Sequence, residues 1–255
     1  MEIKSPRIVG IIPARYASTR FPAKPLAVIA GKTMIQRVYE RSLKATKLYD
    51  VFVATDHQAI ADEVLSFGGK VVMTNPHHAN GTSRCAEAIA SLSIQPDAII
   101  NIQGDEPLVA PEQIDLIADM LSSNAFAIAT LCRKINVLDE LVNDTVIKVV
   151  KAEQKAIYFS RNCIPHLRAI SFDDYLQHTD FYKHIGLYGF KTAVLNKLVL
   201  LPESPLEKAE QLEQLRWLEN GYEIGINETI HPSWSVDVPA DIAVIEKMIA
   251  ALEID

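Results

Sequence analysis

The sequence predicts an α/β fold: a mostly parallel β-sheet covered by helices on both faces, with a β-rich insertion in its second half. Three observations lead there. From residue 7 to residue 131, short β-branched runs alternate with stretches of helical period, the pattern of repeated βα units. Near residue 134 that rhythm gives way to two β-rich runs flanking a short polar turn. The chain has 255 residues, 49% of them hydrophobic and 22% charged, which is enough for one large core.

Taken in order, RIVGII (7–12) is apolar, β-branched and short, so it predicts a buried strand. PARYASTRFPAKP (13–25) leaves that strand's carboxyl end as a loop bearing Arg15, Arg20 and Lys24. GKTMIQRVYERSLKAT (31–46) spaces Met34, Ile35, Val38, Tyr39 and Leu43 as a helix does, and DVFVAT (50–55) completes the first βαβ unit. Helices over 57–67, 82–92 and 111–123 then alternate with strands over 70–73, 97–102 and 126–131. In such a sheet the crossovers are right-handed, and ligands gather outside the carboxyl ends of the strands. TVIKVVKAEQKAIYFSR (145–161) predicts a hairpin turning at AEQKA, DDYLQHTDFY (173–182) a mobile loop, and HIGLYGF (184–190) a strand. SPLEKAEQLEQLRWLENG (204–221) carries Leu206, Leu212, Leu215 and Leu218 on one helical stripe, and YEIGIN (222–227) predicts a strand. A last helix over 239–253 has proline at its start.

Composition narrows the function. A formal net charge of −7 argues against a general binder of nucleic acid or anionic membranes. No run of eighteen apolar residues occurs, and MEIKSPRIVG lacks the order of a secretory signal, so the expected compartment is the cytoplasm and no membrane insertion is expected. Three scattered cysteines without a CxxC pair predict neither a disulfide framework nor a zinc knuckle. Within this acidic chain, seven basic residues and no acidic one fall between Ile3 and Tyr39. Such a cluster suits a polyanion pocket, and by charge alone it equally suits a solvated basic face.

Three constellations could carry chemistry. In the first loop, Arg15 offers a planar fork and Lys24 a compact point charge, complementary grips on phosphate oxygens. Fixed cations there would neutralise charge building on a leaving pyrophosphate, although GxxxxGK[ST] is absent. INIQGDEPLV (100–109) ends an apolar strand in Gln103, Gly104, Asp105 and Glu106, carboxylates placed either to hold Mg2+ or simply to cap a turn. YFSR (158–161), KHIGLY (183–188), LEQLR (212–216) and VDVP (236–239) form the third, dispersed set, in which a lone histidine such as His184 is more often a core residue. His77 and His78 lack a third ligand at metal spacing and predict a polar loop.

These stretches, with VATD (53–56) and GTSR (81–84), resemble the 3-deoxy-manno-octulosonate (Kdo) cytidylyltransferases, or CMP-Kdo synthetases, in that family's order and at about its spacing over essentially the whole chain. The resemblance implies a three-layer α/β nucleotidyltransferase fold in one domain over 1–255. Residues from about 132 to 190 would form an inserted β-rich dimerisation and sugar-binding element, making a homodimer. It implies that the anomeric hydroxyl of Kdo attacks the α-phosphate of CTP, giving pyrophosphate and CMP-Kdo for lipopolysaccharide biosynthesis. Arg15 and Lys24 would hold the triphosphate, and Asp105 and Asp237 would ligate Mg2+, which neutralises charge and acidifies the attacking hydroxyl. Pro13, Ala14, Asn80 and Arg84 would complete the nucleotide site, and Gln103, Arg161, His184, Tyr188 and Glu213 would line the sugar pocket, with Arg161 on the Kdo carboxylate.

The chain departs from the family pattern at Ala23, where glycine is usual, at Ser83, where an acid is usual, and through HPSWSVDVPAD (231–241), where Trp234 and Ser235 stand in a glycine-rich region, Val238 replaces threonine and Ala240 replaces glutamate. Trp234 is read either as a core or interface aromatic or as a wall of the sugar pocket. The same chemistry on 8-amino-Kdo or a sialic acid stays open. A hexose-1-phosphate nucleotidyltransferase is disfavoured by the missing glycine-rich first loop. A non-catalytic nucleotide-sugar binder is disfavoured by the two carboxylates at 105 and 237.

Overall fold

The computed structural model describes residues 6–17 and 20–252; Lys4 and the last position of the predicted terminal helix, 253, lie outside them. Strand β1 (Ile8–Ala14) runs through the middle of the molecule. Its alternate side chains divide between two faces: Ile8 and Ile12 enter one core, Val9 and Ile11 another. A short 3-10 turn over Lys24–Leu26 follows, then a tight hairpin of β2 (Val28–Ile29) and β3 (Lys32–Thr33). Residues 31–33 thus belong to that hairpin and not to the predicted helix. Ala30 and Gly31 turn the chain through positive φ, and Thr33 caps α1 (Met34–Ser42) by accepting from the Gln36 amide.

The alternating half is as expected: β4 (Asp50–Thr55), α2 (Gln58–Ser66), β5 (Val71–Met73), α3 (Gly81–Ala90), β6 (Ala98–Asn101), α4 (Pro111–Ser122) and β7 (Ile128–Lys134). Then come α5 (Leu138–Val142), the hairpin strands β8 (Lys148–Ala152) and β9 (Lys155–Ser160), α6 (Tyr175–His178) and β10 (Tyr182–Lys191). The chain continues through α7 (Thr192–Leu198), α8 (Pro205–Glu210), α9 (Glu213–Glu219), β11 (Ile224–Glu228) and α10 (Asp241–Leu252).

Nine strands form one sheet in the order β5-β4-β1-β6-β10-β7-β11-β9-β8. Helices α1, α2 and α4 send Ile35, Ile60 and Ile117 into the core on one face, while α3, α7 and α9 send Ile89, Leu195 and Trp217 into the core on the other, giving three layers. The sheet is mixed, which corrects the expectation of a mostly parallel one. Its β5-β4-β1-β6 half and the β7–β11 pair are parallel. Strand β10, returning from the insertion, runs antiparallel between β6 and β7 and also pairs with β8. Together with the β11–β9 and β9–β8 pairings, this closes β10, β7, β11, β9 and β8 into a ring. The hairpin over 148–160 is therefore stitched into the main sheet at both ends.

Two further expectations are corrected. The segment 173–182 is folded: Tyr175 and Phe181 are buried and stacked 5.6 Å apart in a small core with Ile135 and Leu141. The single helix expected over 204–221 is broken at Gln211, which takes a left-handed conformation with φ 53°, and the chain restarts as α9. That break turns Glu213, first residue of α9, toward the carboxyl ends of the central strands.

Candidate active site

At the carboxyl ends of β1 and β6 lie three adjoining cavities that share Gln103. The first is walled by Pro13, Ala14, Arg15, Arg20, Lys24 and Asp105. Its two sides meet without clearance: a Cβ on Gly104 would lie 2.8 Å from the Pro13 carbonyl oxygen. Only glycine lets the strand-end turn approach the opening loop this closely. Lys24 Nζ reaches Asp105 Oδ2 at 2.6 Å and the Val236 carbonyl at 2.9 Å, and the Val236 amide donates to the Asp105 carbonyl at 2.9 Å. Arg20 pairs with Asp237 at 2.9 Å. The Asp237 and Val238 amides both donate to the Asp241 carboxylate at the start of α10. Asp105 and Asp237, 132 residues apart in sequence, thus border the same cavity. Among the described residues no cluster of three or more histidine, cysteine or carboxylate side chains is poised for a metal.

The second cavity is bounded by Pro13, Arg15, His78, Asn80, Arg84 and Gln103. Asn80 caps α3 by accepting from the Ser83 amide at 2.9 Å, and its Nδ2 donates to Glu213 Oε1 at 2.8 Å. Arg84 is 4% exposed; its guanidinium donates to Thr74 Oγ1 at 2.6 Å and Asp56 Oδ2 at 2.9 Å. Asp56 in turn accepts from the Tyr16 amide, and Tyr16 stacks on His57 with centroids 3.8 Å apart. Arg84 therefore shapes this wall while braced by partners behind it. His78, expected only to sit in a polar loop, bridges Ser83 and Glu87 and fastens the loop to α3. Ser83 is where the family pattern has an acid, and here the histidine carries the link to Glu87.

The third cavity is the sugar side of the sequence expectation and brings Gln103, His184, Tyr188 and Glu213 together, with Asp105 and Asp237 on its rim. Gln103 is oriented by donating to the Gly186 carbonyl at 2.7 Å. His184 contacts Thr130 Oγ1 at 3.0 Å and meets Phe159 edge-on; burial holds its pKa down at about 3, so the ring is neutral. Burial raises the Glu213 carboxyl above its usual range, with Thr82 and Asn80 donating to it in opposition. Glu106, also on this wall, is pushed up to about 7, chiefly by burial.

Arg161 stands apart from this group. Its guanidinium donates to three backbone carbonyls, those of Glu210 at 2.7 Å, Asp144 at 2.9 Å and Gln211 at 3.3 Å. It clamps the left-handed break that aims Glu213. Trp234, 38% exposed, is neither a core residue nor a cleft-lining one, whereas its neighbour Ser235 does line the cleft. Sequence reasoning gave no site role to His78, Thr82, Asn101 and Ser235, single polar residues within or beside the quoted stretches.

A family model described as cytidylyltransferase matches residues 9–228. A 3-deoxy-manno-octulosonate cytidylyltransferase of Cytophaga hutchinsonii is 49% identical, covering 92% of this chain and 94% of that one. One of Bacteroides thetaiotaomicron is 45% identical, covering 95% and 98%. Among solved structures, CMP:2-keto-3-deoxy-manno-octonic acid synthetase complexed with CTP superposes with a TM-score of 0.89 at 38% identity, over 96% of this chain and 99% of the other. A fold built to this plan and relatives matched end to end lead to one conclusion: this chain belongs to the 3-deoxy-manno-octulosonate cytidylyltransferase family.

Proposed function

We propose that this protein transfers CMP from CTP to the anomeric hydroxyl of Kdo, releasing pyrophosphate and supplying CMP-Kdo for lipopolysaccharide biosynthesis. The observation that carries this reading is the set of adjoining cavities in which a basic loop, the carboxylates of Asp105 and Asp237 and a polar wall meet around Gln103. Pro13 and Ala14 form the base of the nucleotide side, Arg15 grips the triphosphate, and Asn80 and Arg84 wall the cytosine and ribose. Lys24 holds Asp105 in the free protein and turns to phosphate as the nucleotide enters, a short swing for a flexible four-carbon stem. Gln103, His184, Tyr188 and Glu213 receive the sugar acid through hydrogen bonds, the neutral imidazole of His184, with its Nε2 engaged by Thr130, offering Nδ1 as an acceptor. Arg161 supports this wall from behind through the 210–211 carbonyls and serves the carboxylate of Kdo only if it leaves them.

Asp105 and Asp237 would hold Mg2+. Two carboxylates completed by phosphate oxygens and water are a donor set that this hard ion takes readily, and both are now neutralised by single cations that can be exchanged. When bound, the ion supplies neutralisation of the charge developing on the leaving pyrophosphate. Asp105→Asn and Asp237→Asn test this: each keeps the shape and loses the charge, so each should shift the Mg2+ titration of pyrophosphate release to much higher concentration. A variant with the parent's Mg2+ dependence is not changed at a ligand.

The same reading makes the protein a cytoplasmic homodimer, cytoplasmic because CTP is its substrate and dimeric through the β8–β9 element, whose Ile157 is 55% exposed. Sedimentation equilibrium of the parent and of Ile157→Lys tests the dimer.

A further inference from the structure

On the cleft wall formed by β6 and β10, two side chains are buried with a polar atom that meets no partner. Asn101 is 4% exposed and its Oδ1 accepts no hydrogen bond; Tyr188 is 7% exposed and its hydroxyl, which faces the Thr130 side chain on the adjacent strand, makes no well-formed one. The two residues stand directly opposite each other in the antiparallel ladder, so both side chains leave the same face of the sheet. Both line the cavity that holds His184, Glu213 and Asp237.

The neighbouring polar groups are already engaged. The Thr130 hydroxyl contacts His184 and directs its proton toward the carbonyls of Ile185 and Leu187, at 3.2 and 2.8 Å. Glu213 accepts from Asn80 and Thr82, and Gln103 donates to Gly186. Asn101 also borders the nucleotide side, where a Cβ on Gly81 would lie 3.6 Å from its Nδ2 and 3.1 Å from Pro13 Cγ. Proteins rarely leave buried polar atoms unpaired, because each forfeits its hydration without a return. Two such atoms side by side on a ligand cavity describe a binding surface that waits for its complement.

We propose that Asn101, with Tyr188 beside it, reads hydroxyl groups of the sugar acid and so determines specificity for a polyhydroxylated chain. An alcohol donates to the amide oxygen of Asn101, and a second or the same alcohol group exchanges a hydrogen bond with the phenol of Tyr188. A chain lacking those hydroxyls leaves both atoms dry and unpaired, the condition under which a polar site discriminates most strongly. This inference rests on the proposed reading of the cleft as a sugar-acid site and adds to it a residue, Asn101, at the junction of the nucleotide and sugar walls.

The test is steady-state kinetics of Asn101→Ala and Tyr188→Phe with CTP and a panel of sugar acids, alongside thermal denaturation. For the sugar acid, kcat/KM should fall about tenfold or more in each variant, while the KM for CTP stays within about twofold of the parent. Tyr188→Phe removes only an unpaired hydroxyl, so its melting temperature should equal or exceed the parent's. Unchanged kcat/KM for the sugar acid in Asn101→Ala, or in the near-isosteric Asn101→Leu should the alanine variant not fold, overturns the proposal. So does a parallel rise in the KM for CTP, which marks a structural role. The parent separates the two levels of inference: activity on some other sugar acid but not Kdo refutes the substrate reading and moves the comparison to that acid, and activity on none refutes both.

Discussion

Replacing Gly104 by alanine probes the contact that aligns the two halves of the cleft. The added methyl would lie 2.8 Å from the Pro13 carbonyl oxygen, against 3.4 Å or more for an ordinary contact, so the turn over 103–106 must retreat by about 0.6 Å. Retreat is opposed on both sides. The Ile102 amide is bonded to the Ile11 carbonyl at 2.9 Å, and Asp105 is held by Lys24 and the Val236 amide. Overpacking of this kind costs about 1–3 kcal/mol. In a domain of this size that lowers the melting temperature by roughly 2–12 °C. Because Asp105 and Gln103 move with the turn, Gly104→Ala should also lose activity on the order of a hundredfold, the sensitivity of a reacting group displaced by a fraction of an ångström to an ångström. Differential scanning fluorimetry and pyrophosphate release measure the two effects on one preparation. Parent-like values of both in Gly104→Ala would refute the close approach and the alignment argument with it.

Arg15→Ala and Lys24→Ala should each lower turnover by about two to three orders of magnitude with the fold intact, since each removes a cation from the cavity proposed to take the triphosphate; near-parent turnover with a normal circular dichroism spectrum contradicts this. Ala23→Gly should stabilise the protein by up to about 1 kcal/mol, because Ala23 sits at φ 53° where a side chain is strained, and a lowered melting temperature would contradict it. His184, held at about 3 against 6.5 for a free imidazole, gives a pH signature. Its contribution is full above pH 6.5 and is lost as pH falls from 6.5 toward 3, where the unfolded chain takes up a proton that the native site refuses. His184→Gln should therefore flatten the acid limb of the stability profile in that window, as read by denaturant unfolding at stepped pH.

The features legible in the sequence are those governed by local period and chain breaks. Strand β1, its basic loop and the turn at 103–106 were readable because an apolar run ending in glycine and charge has few other solutions in an α/β sheet. The break at Gln211 was not, since the leucine stripe runs through it and the left-handed turn falls on a non-glycine residue, its flanking carbonyls bonded to Arg161 from 49 and 50 residues away. The antiparallel course of β10 was equally hidden: HIGLYGF reads the same in either direction, and the choice depends on the 135–181 excursion returning to the far end of the sheet. At the site, residue types identified the cations and carboxylates, but not their present pairing. Lys24 with Asp105 and Arg84 with Asp56 are joined across 81 and 28 residues, contacts that no local pattern encodes. Asn101 escaped notice because its signal is an absence of partners, which exists only in three dimensions.

The most direct measurement of the central claim is a phosphorus NMR time course of the purified protein with CTP, Mg2+ and Kdo. The account predicts that CTP signals give way to one equivalent of pyrophosphate and one phosphodiester resonance of CMP-Kdo, with neither product formed when Kdo is omitted. Pyrophosphate or phosphate appearing at the same rate without Kdo, or no consumption of CTP in its presence, would contradict it.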